Sequence, residues 1–180
     1  MTRRGIRPAA VVLAIFAAGC GSPPNSDPFP PRPFALDVAQ VAPCSAVSAG
    51  QRNVLDLRTG RPGTSHGGTS RGCTWSGNDG LGYNLQTFEQ HAASAIAGGQ
   101  TSVITVAGFG AVESTPPAPG TGLPFCQVVL DVADDASLRA QLQVNPSRPD
   151  AGRLTTEDVC TQLHDVAATM LANLRAQQDQ

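Results

Sequence analysis

Lysine is absent from this chain, whose twelve basic residues are all arginine. A P-loop is therefore excluded, because its phosphate contacts need that ammonium group. Aromatic residues are scarce, at one Trp, one Tyr and six Phe in 180 residues, so a core must be built mainly from aliphatic side chains. Positive charge is thin as well. Arg3, Arg4 and Arg7 lie at the extreme N-terminus, and the chain from Cys20 onward carries nine Arg against fourteen acids, a formal charge of −5. A nucleic-acid partner, which requires a clustered basic surface, is not expected. The long apolar run of a transmembrane helix is also missing, since the stretch from Pro8 to Ala18 is too short to span a bilayer.

That short run has a different meaning. A basic start, an apolar stretch and small residues ahead of a cysteine form the tripartite pattern of a signal peptide over residues 1–19. Ala17, Ala18, Gly19 and Cys20 resemble a lipobox, although Ala17 stands where that motif usually has Leu. Cys20 is accordingly the expected lipidation site, with the membrane as partner and the extracytoplasmic face of a cell membrane as location. Five cysteines in an exported chain leave one after pairing, and the odd one sits at the expected cleavage point.

Residues 20–35 read as a lipidated Cys and stalk. Gly21 to Phe34 contains six prolines in fourteen residues, a composition that favours extended polyproline II at roughly 3.1 Å per residue and a lift of about 40 Å. The globular domain is expected over residues 36–180. Ser48 and Gln51 match a capping box ahead of a short helix using Val54, Leu55 and Leu57. Residues 60–72 read as loop. Thr74-Trp75 and the alternation of Leu81, Tyr83 and Leu85 then indicate a hairpin closed at Asn78-Asp79-Gly80. A brief helix is expected over residues 89–97, with further strands over 102–106, 111–114, 126–132 and 138–144. Thr155 and Asp158 open a final helix with an apolar stripe of Val159, Leu163, Val166, Ala167, Met170, Leu171 and Leu174. The pattern predicts an α+β domain with an antiparallel sheet of five or six short strands and helices packed on one face.

Cys44, Cys73, Cys126 and Cys160 are expected to be disulfide-bonded, as export makes pairing the default. Four cysteines allow three connectivities. Tethering each helix to its neighbouring strand favours Cys44 with Cys73 and Cys126 with Cys160, each bridge contributing roughly 3 to 4 kcal/mol by loop-closure entropy. A zinc site is disfavoured by spacing, since no CxxC pair exists, and by the exported compartment.

The set Pro43-Cys44, Gly72-Cys73-Thr74-Trp75, Phe125-Cys126-Gln127-Val128 and Val159-Cys160 resembles a family of actinobacterial lipoproteins of unknown function, found in mycobacteria and nocardiae. The resemblance spans nearly all of Phe34 to Leu174. It implies a lipobox, a stalk and one Cys-stapled domain with a Cys-x-Trp strand, and it brings no catalytic residues.

The remaining motifs are weak carriers of chemistry. Gly63-Thr64-Ser65-His66-Gly67 satisfies the G-x-S-x-G pattern of a nucleophile elbow, but Arg61-Pro62 and Gly67-Gly68 disfavour the strand-to-helix turn that motif requires. His66, His91 and His164 are scattered, and His164 flanks the buried stripe as a partly covered structural histidine. Asp131, Asp134 and Asp135 lack EF-hand spacing and read as a solvated strand end and turn. Gly108-Phe109-Gly110 lacks the third glycine of a dinucleotide site. Trp75 reads as a core aromatic beside a disulfide. No catalytic residue, metal site or cofactor is expected. The resulting expectation is a non-catalytic envelope lipoprotein that binds a protein partner or a small lipophilic or cell-wall ligand, with a surface hydrolase as the alternative.

Overall fold

A computed structural model describes residues 27–179 apart from Pro117 and Pro119. The expected signal peptide, Cys20 and the first part of the stalk lie outside the described residues.

Seven strands form one antiparallel sheet: β1 (Arg61–Ser65), β2 (Ser70–Ser76), β3 (Leu81–Phe88), β4 (Thr101–Val106), β5 (Phe109–Ser114), β6 (Phe125–Asp131) and β7 (Ser137–Val144). Their spatial order is β1-β2-β3-β7-β6-β5-β4. Two meanders thus approach from opposite edges and join where β7 pairs with β3 over the register Leu81↔Val144 to Phe88↔Ser137. The architecture is the expected α+β arrangement with a higher strand count. The additional strand is β1, which lies in the segment read as loop. Its sequence, Arg-Pro-Gly-Thr-Ser, has little β-propensity, and pairing with β2 along the sheet edge supplies the order.

Helix α1 (Ala49–Val54) carries the expected Ser48/Gln51 capping box, and α2 (Thr156–Gln178) the one between Thr155 and Asp158. All seven expected stripe residues of α2 are buried, together with Cys160. They cover the inner face of the sheet, against Trp75, Tyr83, Leu85, Leu130, Leu138 and Leu142. Truncating a residue such as Leu163 in this layer should cost about 2 to 5 kcal/mol. α1 differs from expectation because none of its residues is buried and Val54 is 86% exposed, while Leu57, beyond its end, enters the core. The brief helix expected over 89–97 is a 3-10 segment, Ala92–Gly98.

The pairing of the cysteines is Cys44–Cys73 and Cys126–Cys160. The first ties a 3-10 turn (Pro43–Ala46) to β2, and the second ties β6 to α2. Trp75 is fully buried on β2, and a Cβ on Gly60 would lie 2.5 Å from its Nε1 and 2.6 Å from Cys73 Sγ. The ring therefore packs beside the disulfide, with Gly60 admitted because it has no side chain.

Packing extends N-terminal to the expected boundary at Leu36. Phe29 is buried over Gly110, where a Cβ would come within 2.5 Å of it, and joins Ala92, Val112 and Val129 in a small second core. Arg32 pairs with Asp131 and Asp134, and Phe34 stacks edge-on against Phe109. Residues in the expected stalk are thus part of the folded unit. Proline composition alone missed them because the aromatic and guanidinium groups between the prolines do the docking.

Candidate functional site

Strand alternation assigns every side chain of the sheet to one of two faces. The inner face meets α2. On the outer face, Phe29 and the 3-10 segment cover the part made by β4, β5 and β6, leaving the part made by β1, β2, β3 and β7 without a packed layer among the described residues. Register aligns Thr74, Asn84, Gln141, Gln127 and Ser114 in one row across this face. Asn84 Nδ2 donates to Thr74 Oγ1 at 2.8 Å, Gln141 Nε2 to Gln127 Oε1 at 2.7 Å, and Gln127 Nε2 to Ser114 Oγ at 3.2 Å. Asn84 Oδ1 has no partner among the described residues.

The adjacent row places Gly72, Gln86 and Arg139 side by side. Gly72 is required to be small, since a Cβ there would meet Leu85 O at 2.7 Å and Gln86 Cγ at 2.8 Å. Gln86 links two groups: its Nε2 donates to Ser65 Oγ at 3.3 Å, and its Oε1 accepts from Arg139 Nε at 3.0 Å and also from Nη2. The Arg139 guanidinium also lies 4.6 Å above the Phe88 ring, whose other neighbour is His66 at 5.3 Å. Burial lowers the Arg139 pKa from its ordinary value. Among the described residues it makes no ion pair. This is a positive group held by an amide and a ring, on a face of uncharged hydrogen-bonding side chains. Such a surface can accept hydroxyls, amides and a carboxylate.

The residues singled out from sequence fall in separate places. Ser65 ends edge strand β1 with φ −142° and ψ 179°, extended backbone rather than the strained turn of a nucleophile elbow. Positive φ falls instead on His66 and Gly67. His91 caps the 3-10 segment, its Nδ1 accepting from Ala93 N–H, while Nε2 faces Asp131 at 3.8 Å. Asp131 corrects the expectation of a solvated strand end: it is 1% exposed and held by Arg32, whereas Asp134 is open to solvent. Arg32 in turn is raised above its ordinary pKa chiefly by its hydrogen bond to Asp131, against the opposing effect of burial. Gly108-Phe109-Gly110 has a structural account. Ala107 and Gly108 form the two-residue β4–β5 turn, both at positive φ, and Gly110 is the floor beneath Phe29.

Sequence reading missed Glu113. It projects from β5 toward α2, where Oε2 lies 2.7 Å from His164 Nε2 and 3.8 Å from Cys126 Sγ. The last distance is a van der Waals approach, because a disulfide sulfur has no proton to donate. Glu113, Cys126 and His164 are 51 residues apart in sequence at their extremes, so no local motif could have joined them.

A profile of a family described as "Protein of unknown function (DUF3558)" matches residues 15–173, most of the chain. The chain belongs to the DUF3558 family. No curated protein matches this DUF3558 chain. A crystal structure of a protein from Bacteroides thetaiotaomicron VPI-5482 is similar to it at 9% identity and a TM-score of 0.34, over 57% of this chain and 47% of that one. The DUF3558 chain thus spans about half the length of that structure, and a likeness at this level carries no argument. No described helix is long and apolar enough to cross a membrane.

Proposed function

We propose that this DUF3558 protein is an actinobacterial envelope lipoprotein, held on the extracytoplasmic face of the cell membrane by a lipid on Cys20 and carrying a non-catalytic binding domain. The observation that carries the reading is the cysteine pairing. Four of the five cysteines are joined within the domain, which leaves Cys20, after an apolar run and three small residues, as the remaining one. Structural disulfides fit an oxidising compartment, and multiple acyl chains give anchoring that one chain does not.

The amide-lined part of the outer face is the binding surface in this reading. Its occupant is a cell-wall saccharide bearing carboxylates: hydroxyls match Thr74, Asn84 and Gln141, and the carboxylate answers the charge of Arg139. Expression of the full chain in a host that matures lipoproteins tests the anchor. Wild-type protein should partition with membranes and carry acyl mass on Cys20, and Cys20→Ser should appear in the soluble fraction. Equal membrane association of the variant, with no acyl mass on the wild type, would overturn the proposal. Chemical-shift mapping with soluble muropeptides tests the surface. Perturbations should gather at Gln86, Arg139 and Gln141 and weaken in Arg139→Gln, whereas unperturbed amides there would remove the assignment.

A further inference from the structure

Four groups suited to a metal converge from three elements. Cys160 and His164 are one turn apart on α2, Cys126 faces them from β6, and Glu113 reaches in from β5. One donor atom each of Glu113, Cys126 and His164 lie within 4.8 Å of one another, and Cys160 Sγ is bonded to Cys126 Sγ. We propose that reduction of Cys126–Cys160 converts this cluster into a tetrahedral zinc site, with the two thiolates, His164 Nε2 and Glu113 Oε2 as ligands. The site is separate from the outer sheet face and does not depend on the binding role proposed for it.

Ligand chemistry and charge both support the assignment. Sulfur, imidazole and carboxylate are the donors zinc takes, at about 2.0 to 2.3 Å, so ligand atoms of a tetrahedral site stand roughly 3.2 to 3.8 Å apart. The 3.8 Å from Cys126 to Glu113 already falls at that spacing, whereas His164 and Glu113 stand at a hydrogen-bond distance of 2.7 Å and would part by about 0.5 Å or more to admit the ion between them. Reduction leaves two neutral thiols in a poorly solvated place, Cys126 fully buried and Cys160 6% exposed, where burial alone keeps them protonated. As thiolates beside a carboxylate they would be three anions with little solvation. A divalent cation offsets them, and coordination favours the deprotonated thiols. Among the described residues, the group containing Cys126 is the one in which acid and imidazole accompany a disulfide sulfur.

The step balances with a dithiol as reductant. The dithiol gives two electrons and two protons to the Cys126–Cys160 bond and closes to its own disulfide. Zinc then displaces both thiol protons to solvent, while His164 binds as the neutral ring.

The full chain, reduced with excess dithiol and desalted without oxygen, is titrated with cobalt(II) as a spectroscopic substitute for zinc. One cobalt per chain should bind with thiolate charge-transfer and tetrahedral d–d bands, zinc should displace it, and oxidised protein should give neither band. Glu113→Gln and His164→Ala, each removing a proposed ligand with all thiols retained, should weaken binding by at least the roughly 10- to 100-fold that loss of an outer-shell partner costs. Unchanged affinity in both variants would assign the metal to thiols elsewhere and overturn the proposal. So would reduced protein that gives no tetrahedral spectrum, or that unfolds by circular dichroism and is not refolded by the metal.

Discussion

Arg32 grips Asp131 through two hydrogen bonds, Nε to Oδ2 at 2.6 Å and Nη2 to Oδ1 at 2.9 Å, across 99 residues of sequence. Removing the arginine leaves a carboxylate that is 1% exposed, with the His91 ring at 3.8 Å as its remaining ion-pair neighbour among the described residues. Arg32→Ala should therefore cost about 3 to 5 kcal/mol, while Arg32→Met combined with Asp131→Leu should be close to neutral. Urea unfolding of the variants measures both. A single variant within about 0.5 kcal/mol of wild type, inside the range of ordinary surface substitutions, would show that the pair contributes nothing.

Gly60→Ala should destabilise the domain by about 1 to 3 kcal/mol, as overpacking does when neighbours cannot yield. The new methyl would fall 2.5 Å from Trp75 Nε1 and 2.6 Å from the Cys73 sulfur, and both groups are buried. Trp75 is the sole tryptophan of the chain, so its fluorescence reports the local change directly. Wild-type stability and an unaltered emission spectrum would refute the tight contact.

Tyr83, the only tyrosine, has its pKa pushed up to about 12, first by burial and then by Asp79, against the opposing hydrogen bond from Gln162. Its neutral form is thus favoured by folding. The corresponding stability is fully present below the ordinary phenol pKa of about 10 and is lost as pH rises from there through about 12. Phenolate absorbance should titrate near 12 in folded protein and near 10 in denaturant. Coincident curves would contradict the burial argument.

Ser65 should remain unlabelled by fluorophosphonates. Its backbone is extended, and its Oγ accepts from the Gln86 amide, which cannot serve as a base. Stoichiometric labelling, abolished by Ser65→Ala, would revive the hydrolase alternative.

Much of the inner layer was legible because it is periodic. The α2 stripe and the alternation of Leu138, Ala140 and Leu142 are local patterns with one physical cause, burial on one side. The two capping boxes are equally local. β1 was illegible because its order comes from an edge partner rather than from its own residues. Arg139 went unnoticed as a site residue because its setting depends on Gln86 of a strand 53 residues away. Glu113 likewise acquires meaning only when β5 is laid beside α2. Asp131 was read as solvated because nothing in the segment around it announces that Arg32 will arrive from the N-terminus.

The docking of Phe29 also bounds the reach of the proposed anchor. From Cys20 to Phe29 is nine residues, which span at most on the order of 30 Å, compared with the lift of about 40 Å expected if the whole proline segment stood clear of the domain. The tether departs from the part of the sheet near β5 and β6, whereas Gln86 lies two strands beyond β6 in spatial order, about 10 Å away at ordinary strand spacing. A lipid on Cys20 would therefore moor the domain by one flank. Under the proposed anchor, its amide-lined strands would be confined to a shallow zone next to the membrane.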